Sequence, residues 1–170
     1  EYAVHNGGGH THKALDRLRE ICKKKLSSTD ENCMVADYKR EILNEGESAT
    51  IRSKDFENGV EIHKFLDSSD SHARMKSIFP KSWSEENIVS AMQACIKQGI
   101  DRPGYSSNSV VYIARVNGVN VATCVNSENK FIMSCYPLED QSNSGTIEIE
   151  NPAGKETKKV KIQNVPVVNL

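Results

Sequence analysis

Ser77-Ile78-Phe79-Pro80-Lys81-Ser82-Trp83-Ser84 is the stretch around which the rest of the chain is organised. Trp83, the only tryptophan, sits just before a strong helix start. Ser84 is a natural N-cap, and Glu85 and Glu86 suit the positive end of a helix dipole. Ile88, Ala91, Met92, Cys95 and Ile96 then recur at helical spacing, and Gly99 is the expected stop. Beyond a loop at Pro103-Gly104 come two apolar runs, Val110 to Val116 and Val119 to Val125, joined by Asn117-Gly118. That dipeptide between β-rich runs is the strongest short hairpin signal. A third run, Lys130 to Tyr136, follows a turn at 126–129. Residues 77–138 therefore read as one helix and a three-stranded antiparallel meander.

Working outward, residues 1–10 end in Asn6-Gly7-Gly8-Gly9-His10, a flexible turn bracketed by His5 and His10. Three glycines let the backbone fold back tightly and bring two imidazoles together. Thr11 caps a predicted helix with Leu15, Leu18, Cys22 and Leu26 as its apolar stripe. A second helix is predicted over about 32–44, and short strands over 49–52 and 59–66, separated by a polar turn at Asn58-Gly59. After Leu138 the chain turns polar. Residues 146–151 and 156–162 alternate like strands around Pro152-Ala153-Gly154, so a domain over 1–138 with a hairpin-forming extension over 139–170 is expected.

With 170 residues, 37% of them hydrophobic, the chain can bury one real core and a small appendage. No run approaches the roughly 18 apolar residues of a membrane span. The chain starts at Glu1 rather than Met, so a piece of a longer polypeptide or a processed product is expected. A net charge of −1 does not advertise a duplex binder. Basic residues nevertheless crowd two segments, Lys13 to Lys25 and Lys155 to Lys161. The five cysteines form no C-x-x-C pair. Free buried thiols in a reducing compartment fit them better than a disulfide frame or a zinc site.

No P-loop, G-x-G-x-x-G, G-x-S-x-G or H-E-x-x-H motif occurs. Histidine is what remains: His5, His10 and His12 lie close together beside glycines. Taken alone, such a run also reads as a terminal tail. A histidine pair, however, can hold one neutral base and one protonated acid near neutral pH. RNA cleavage needs that combination. A base takes the proton of the ribose 2′-hydroxyl, which attacks phosphorus; an acid protonates the departing 5′-oxygen; a cation offsets the transition-state charge. Ser134 and Tyr136 lie two apart, on one face of the last strand of the meander, where their hydroxyls can serve one site. A tyrosine there is also ordinary packing.

Residues 72–138 resemble the bacterial EndoU-type ribonuclease domains, found as C-terminal toxins of contact-dependent growth inhibition and other polymorphic systems. The motifs carrying the resemblance are Ile78-Phe79-Pro80-Lys81-Ser82-Trp83-Ser84, the helix at Ile88, Ala91 and Met92, Val116-Asn117-Gly118-Val119, and the ending Ser134-Cys135-Tyr136-Pro137. The resemblance implies an α+β fold: N-terminal helices packed with two small antiparallel sheets around a cleft. It implies an endoribonuclease that needs no metal or other cofactor and leaves 2′,3′-cyclic phosphate ends. Gly8-Gly9-His10 looks like the family's histidine element, so His10 is implied as catalytic, with His5 as partner and His12 as rival. Lys76, with Arg74 second, is implied as the catalytic cation and Tyr136 as the fourth catalytic residue. Ser134 and Ser84 are implied to bind substrate. Implied partners are RNA, either tRNA or single-stranded, and a cognate immunity protein. The setting is a secreted or surface-delivered effector acting in the cytoplasm of a target cell.

Two other readings compete. A pancreatic-ribonuclease-like toxin would share the chemistry and the glycine-glycine-histidine start. A non-catalytic binding or immunity module suits the near-neutral charge, but the clustered histidines oppose it.

Overall fold

The computed structural model describes residues 9–17, 50–66, 73–103, 108–150 and 159–170. The fold is mixed α+β, with mostly antiparallel sheets and few helices. Strands β1 (Thr50–Asp55), β2 (Glu61–Leu66) and β3 (Ala73–Ile78) form an antiparallel sheet in sequence order. The β1–β2 turn uses Asn58-Gly59. Gly59 sits at φ +92°, open to glycine, while Asn58 Oδ1 accepts from Val60 N at 3.2 Å.

In place of the N-terminal helices expected from the sequence, the described residues contain two helices, one near the N-terminus and one in mid-chain. The first, α1, covers residues 12–17. Thr11 caps it, its hydroxyl accepting from Ala14 N at 3.1 Å, and Leu15 is fully buried beneath it. The expected continuation through Leu18, Cys22 and Leu26, and the expected helix at 32–44, lie outside the described residues.

The second helix, α2 (Glu85–Gln98), starts where the capping pattern places it. Ser84 Oγ accepts from Asn87 N at 3.1 Å, and Asn87 Oδ1 accepts from Ser84 N at 2.9 Å. Its stop works differently from a left-handed glycine cap. Gly99 is extended (φ −74°), but a Cβ there would collide with the Cys95 carbonyl and stand 2.9 Å from that of Ile113. Glycine is required by close approach.

The second sheet is built on β5 (Ser109–Val116), β6 (Val119–Asn126) and β7 (Ile132–Pro137). Asn117 and Gly118 both have positive φ, 47° and 79°, between the paired residues Val116 and Val119. This is the two-residue turn whose twist suits a hairpin. The register of β6 with β7 slips at Cys124/Val125, and Met133 is the extra residue. Two short strands flank β5 on its other side. β4 (Ile100–Pro103) pairs antiparallel with Val110 to Ile113, and β10 (Val167–Val168) pairs parallel with Arg115 and Val116. Between them in sequence, β8 (Ile147–Glu150) and β9 (Lys159–Ile162) form a separate antiparallel pair.

Both faces of β5 and β6 are covered, which is why their sequences read as nearly continuous apolar runs. On one face α2 packs Ile88, Ala91, Ala94 and Cys95 against Ala114, Val116, Val119 and Val121, joined by Val60 and Phe79 from the ends of the first sheet's strands β2 and β3. On the other face Val111, Ile113, Ala122 and Cys124 meet Ile147, Ile162 and Val165 from the C-terminal segment. Cys95, Cys124 and Cys135 are free and buried, as their apolar settings predict; Cys22 and Cys33 lie outside the described residues.

A buried polar knot ties the two sheets. Asn58 Nδ2 donates to Gly118 O at 3.1 Å and to Gln141 Oε1 at 2.9 Å. Gln141 Oε1 also accepts from Asn120 N, and its Nε2 donates to Asn120 O (2.9 Å) and Leu138 O (2.7 Å). Gln141→Ala takes from Asn120 N and Leu138 O the partner described above, while Asn58 Nδ2 keeps Gly118 O and Asn120 O keeps Leu138 N. At roughly 1–3 kcal/mol for buried groups so orphaned, it is expected to lower unfolding free energy by about 2–3 kcal/mol. A chemical-denaturation midpoint equal to that of the parent chain would show that the knot contributes nothing.

Candidate active site

β3 is an edge strand, so its outward N–H and C=O groups have no strand to meet. The loop before α1 meets them with a single residue. His10 Nδ1–H donates to Ser77 O at 2.7 Å, and His10 O accepts from Phe79 N at 2.9 Å. The Ser77 hydroxyl lies 3.4 Å from the same ring nitrogen. A carbonyl only accepts, so Nδ1 carries the hydrogen and Nε2 keeps its lone pair in the neutral ring. Burial, then the charge of Lys76, push the His10 pKa down to about 4, against a smaller opposing effect of the Ser77 carbonyl. At neutral pH His10 is an oriented, uncharged imidazole, the form a general base requires.

The His10 ring stands 5.3 Å, centroid to centroid, from that of Tyr136, tilted by 34°. His10, Tyr136 and Ser134 all line an open cavity of about 1130 Å³. Its first wall is the first sheet, through Lys54, Phe56, Ile62, Met75 and Ser77. Its second is the face of β4 to β7 that carries Arg102, Val111, Ile113 and Cys124. Its third is the C-terminal segment, through Asp140, Glu148, Ile149 and Lys159. Burial raises the Asp140 pKa, but the backbone N–H groups of Glu148 and Ser142, the Ser142 hydroxyl and Lys54 together hold it below the usual carboxylate value. Burial raises that of the Cys124 thiol, which stays protonated.

The remaining residues singled out in the sequence fall elsewhere. His5 lies outside the described residues. His12 Nε2 stands 2.9 Å from Glu61 Oε2, with His63 Nε2 3.9 Å from the other carboxylate oxygen. His12 lines a separate pocket of about 190 Å³ beside Phe79 and Trp83, so His10 and His12 serve different cavities. Lys76 follows the alternation of β3 onto the face opposite Ser77 and is not among the residues lining the large cavity. Its Nζ packs where a Cβ on Gly9 would come within 2.9 Å, so the glycine admits the ammonium beside His10. Ser84 spends its hydroxyl in the cap of α2 and is likewise absent from the cavity lining.

Sequence reasoning missed Ser77, which acts through its carbonyl and so leaves no mark in residue type. It also missed Lys54 and Arg102, single cations in short strands, and the Glu61–His63 pair, whose spacing of two is legible only once β2 is placed. Among the described residues no group of three or more His, Cys, Asp or Glu converges as a metal site, and no helix is long and apolar enough to cross a membrane.

Residues 4–139 of the chain match a family model described as bacterial EndoU nuclease. No match is found among curated proteins or among solved structures.

The His10 geometry makes a pH prediction. Its folded pKa lies below its ordinary value of 6.5, so the unfolded chain binds the proton first. The stabilisation is complete above pH 6.5 and is lost as pH falls toward 4, by up to about 3 kcal/mol for a shift of this size. Subtracting the stability of His10→Asn from that of the parent chain at each pH should isolate this loss. A difference that stays flat between pH 7 and 4 would show that His10 is not held neutral.

Proposed function

This chain belongs to the bacterial EndoU nuclease family, and on that premise we propose that it is an endoribonuclease that cuts RNA by attack of a ribose 2′-hydroxyl and leaves 2′,3′-cyclic phosphate ends. The observation that carries this reading is the neutral, edge-anchored His10 ring next to Tyr136 in an open cavity lined by Ser134. RNA lies in that cavity as in a cleft between the two sheets. His10 Nε2 takes the 2′-hydroxyl proton, and the 2′-oxygen bonds to phosphorus as the 5′-oxygen leaves. That oxygen receives its proton from a second imidazole. His5 is the candidate for this role, since His12 faces Glu61. Lys76, whose ammonium packs against Gly9 beside His10, is the candidate cation to offset charge on the phosphorane-like transition state from outside the cavity lining. Tyr136 stacks on a base or orients the ribose, and Ser134 hydrogen-bonds a pyrimidine edge, as single-stranded RNA is commonly read. No step requires a metal ion.

The biological setting follows from the same reading: an antibacterial toxin, delivered as a secreted or cell-surface effector into the cytoplasm of a target cell. A cell that makes such an enzyme needs an inhibitor. An acidic immunity protein covering the cavity near the basic N-terminal segment, and binding in a salt-sensitive way, fits this role.

Purified protein should cut single-stranded RNA or tRNA in the presence of chelator and leave cyclic phosphate ends; products with free 3′-hydroxyls would exclude the mechanism. His10→Ala should slow cleavage by about 10²-fold or more with the fold intact. The acid limb of the kcat/KM profile should sit near pH 4 to 5, and a limb near 6.5 would remove His10 as the base.

Base choice provides a separate check. Ser134→Ala should flatten a modest uridine preference of about 1 kcal/mol while sparing much of the rate. Tyr136→Ala should slow cleavage at every base. Sequencing the cut sites of both variants decides, and an unchanged pattern in Ser134→Ala would move the base pocket elsewhere.

A further inference from the structure

The register of the second sheet aligns one row of side chains across four strands. Arg102 of β4 stands opposite Val111 of β5, Val111 opposite Cys124 of β6, and Cys124 opposite Ser134 of β7. All four line the large cavity. In the adjacent row Ile113 pairs with Ala122, and Ala122 with Tyr136, which meets His10. Three strand spacings of about 4.8 Å separate the main chains at Arg102 and Ser134 by about 14 Å. The floor between them is apolar, made by Val111 and Cys124.

Arg102 is half-buried and lines the cavity; its Nε, shielded from bulk solvent, has no hydrogen-bond partner among the described residues, so the guanidinium group facing the cavity is not held by the protein. A guanidinium donor left in that state is costly, and its planar fork is suited to phosphate oxygens. Proteins that bind single strands combine stacking positions with cations that track the backbone. Here the stacking position and the cation lie at opposite ends of one row.

We propose that Arg102 binds the phosphate of a neighbouring nucleotide, so that the substrate is an extended single strand laid along this row from the Ser134–Tyr136 end to β4. The inference rests on the ribonuclease reading above, because it takes Ser134 and Tyr136 as the seat of the nucleotide at the cut. With the two main chains about 14 Å apart, Arg102 is placed to meet a phosphate beyond that of the nucleotide seated at Ser134 and Tyr136, which only a longer strand supplies. Arg102 therefore sets a minimum length for tight binding and plays no part at the cut itself.

Binding of 2′-deoxy oligonucleotides, which lack the attacking hydroxyl, tests this separately from cleavage. Relative to the parent chain, of two 2′-deoxy tetranucleotides, one extended on the 5′ side and one on the 3′ side of the central pair, Arg102→Gln should weaken binding at least tenfold for the one whose extension runs toward β4. Binding of the dinucleotide should be unchanged. The slope of log affinity against log salt should become shallower by about 0.7, the value for one contact to a single strand. Arg102→Lys keeps a point charge and should keep the parent slope while binding more weakly than arginine; it also serves if the glutamine variant does not fold. In turnover, KM for the ribo-tetranucleotide should rise with kcat retained. Equal weakening of dinucleotide and tetranucleotide, or no weakening of either, overturns the assignment. Binding that depends on Arg102 without cleavage of any RNA by the parent chain would instead overturn the ribonuclease reading and leave the phosphate site standing.

Discussion

The two hydrogen bonds between His10 and the edge of β3 are the constraint on which the site depends. They satisfy groups that a further strand would otherwise pair, and so blunt an edge open to association with another chain. They also place the imidazole, choose its tautomer and bury it deeply enough to suppress its charge. An edge strand leaves its outward groups to solvent or to a covering loop, charge or bulge. Covering them with one side-chain N–H and one main-chain carbonyl keeps the remaining ring nitrogen out of the edge contact, on a residue that lines the cavity.

That edge is held in place by the way the two sheets are joined. Val60 and Phe79, just before β2 and just after β3, enter the core formed by α2 and the second sheet, which supplies non-directional adhesion. Asn58, Asn120 and Gln141 add direction, because each buried amide is satisfied in only one relative placement of the sheets. Gln141 and the apolar residues Ile147, Ile162, Val165 and Val168 lie past residue 139, where the family match ends. The segment beyond the match is thus part of the framework that positions β7, and it supplies one wall of the cavity.

Features encoded by neighbouring residues were legible in the sequence. The turn at Asn117-Gly118 and the cap at Ser84 are local chemistry, and α2 and the meander appear where that chemistry puts them. β4 escaped notice because it is four residues long, half-exposed in alternation and ends in proline, which an edge tolerates. β10 is two residues long and exists only by pairing with β5. The site divides the same way. His10, Ser134 and Tyr136 stand out by residue type and share one cavity. That Lys76 would turn to the opposite face from Ser77, or that His12 would meet Glu61, depends on strand phase and on partners some fifty residues away, which local pattern does not contain.

The meeting of position 10 with position 77 also bears on how the molecule comes into being. The β5–β6 hairpin closes through a two-residue turn, a local event on the microsecond scale. The His10 contacts with Ser77 span 67 positions of chain, and β10 pairs in parallel with β5 between Val167 and Arg115, also far apart in sequence. Loops of that length close late and slow the search for the native state. A chain that has formed its hairpin and α2 but not docked its N-terminal loop already has Ser134 and Tyr136 on one strand, yet it has no oriented imidazole. The arrangement of His10 beside Tyr136 therefore exists only once the N-terminal loop has docked on β3.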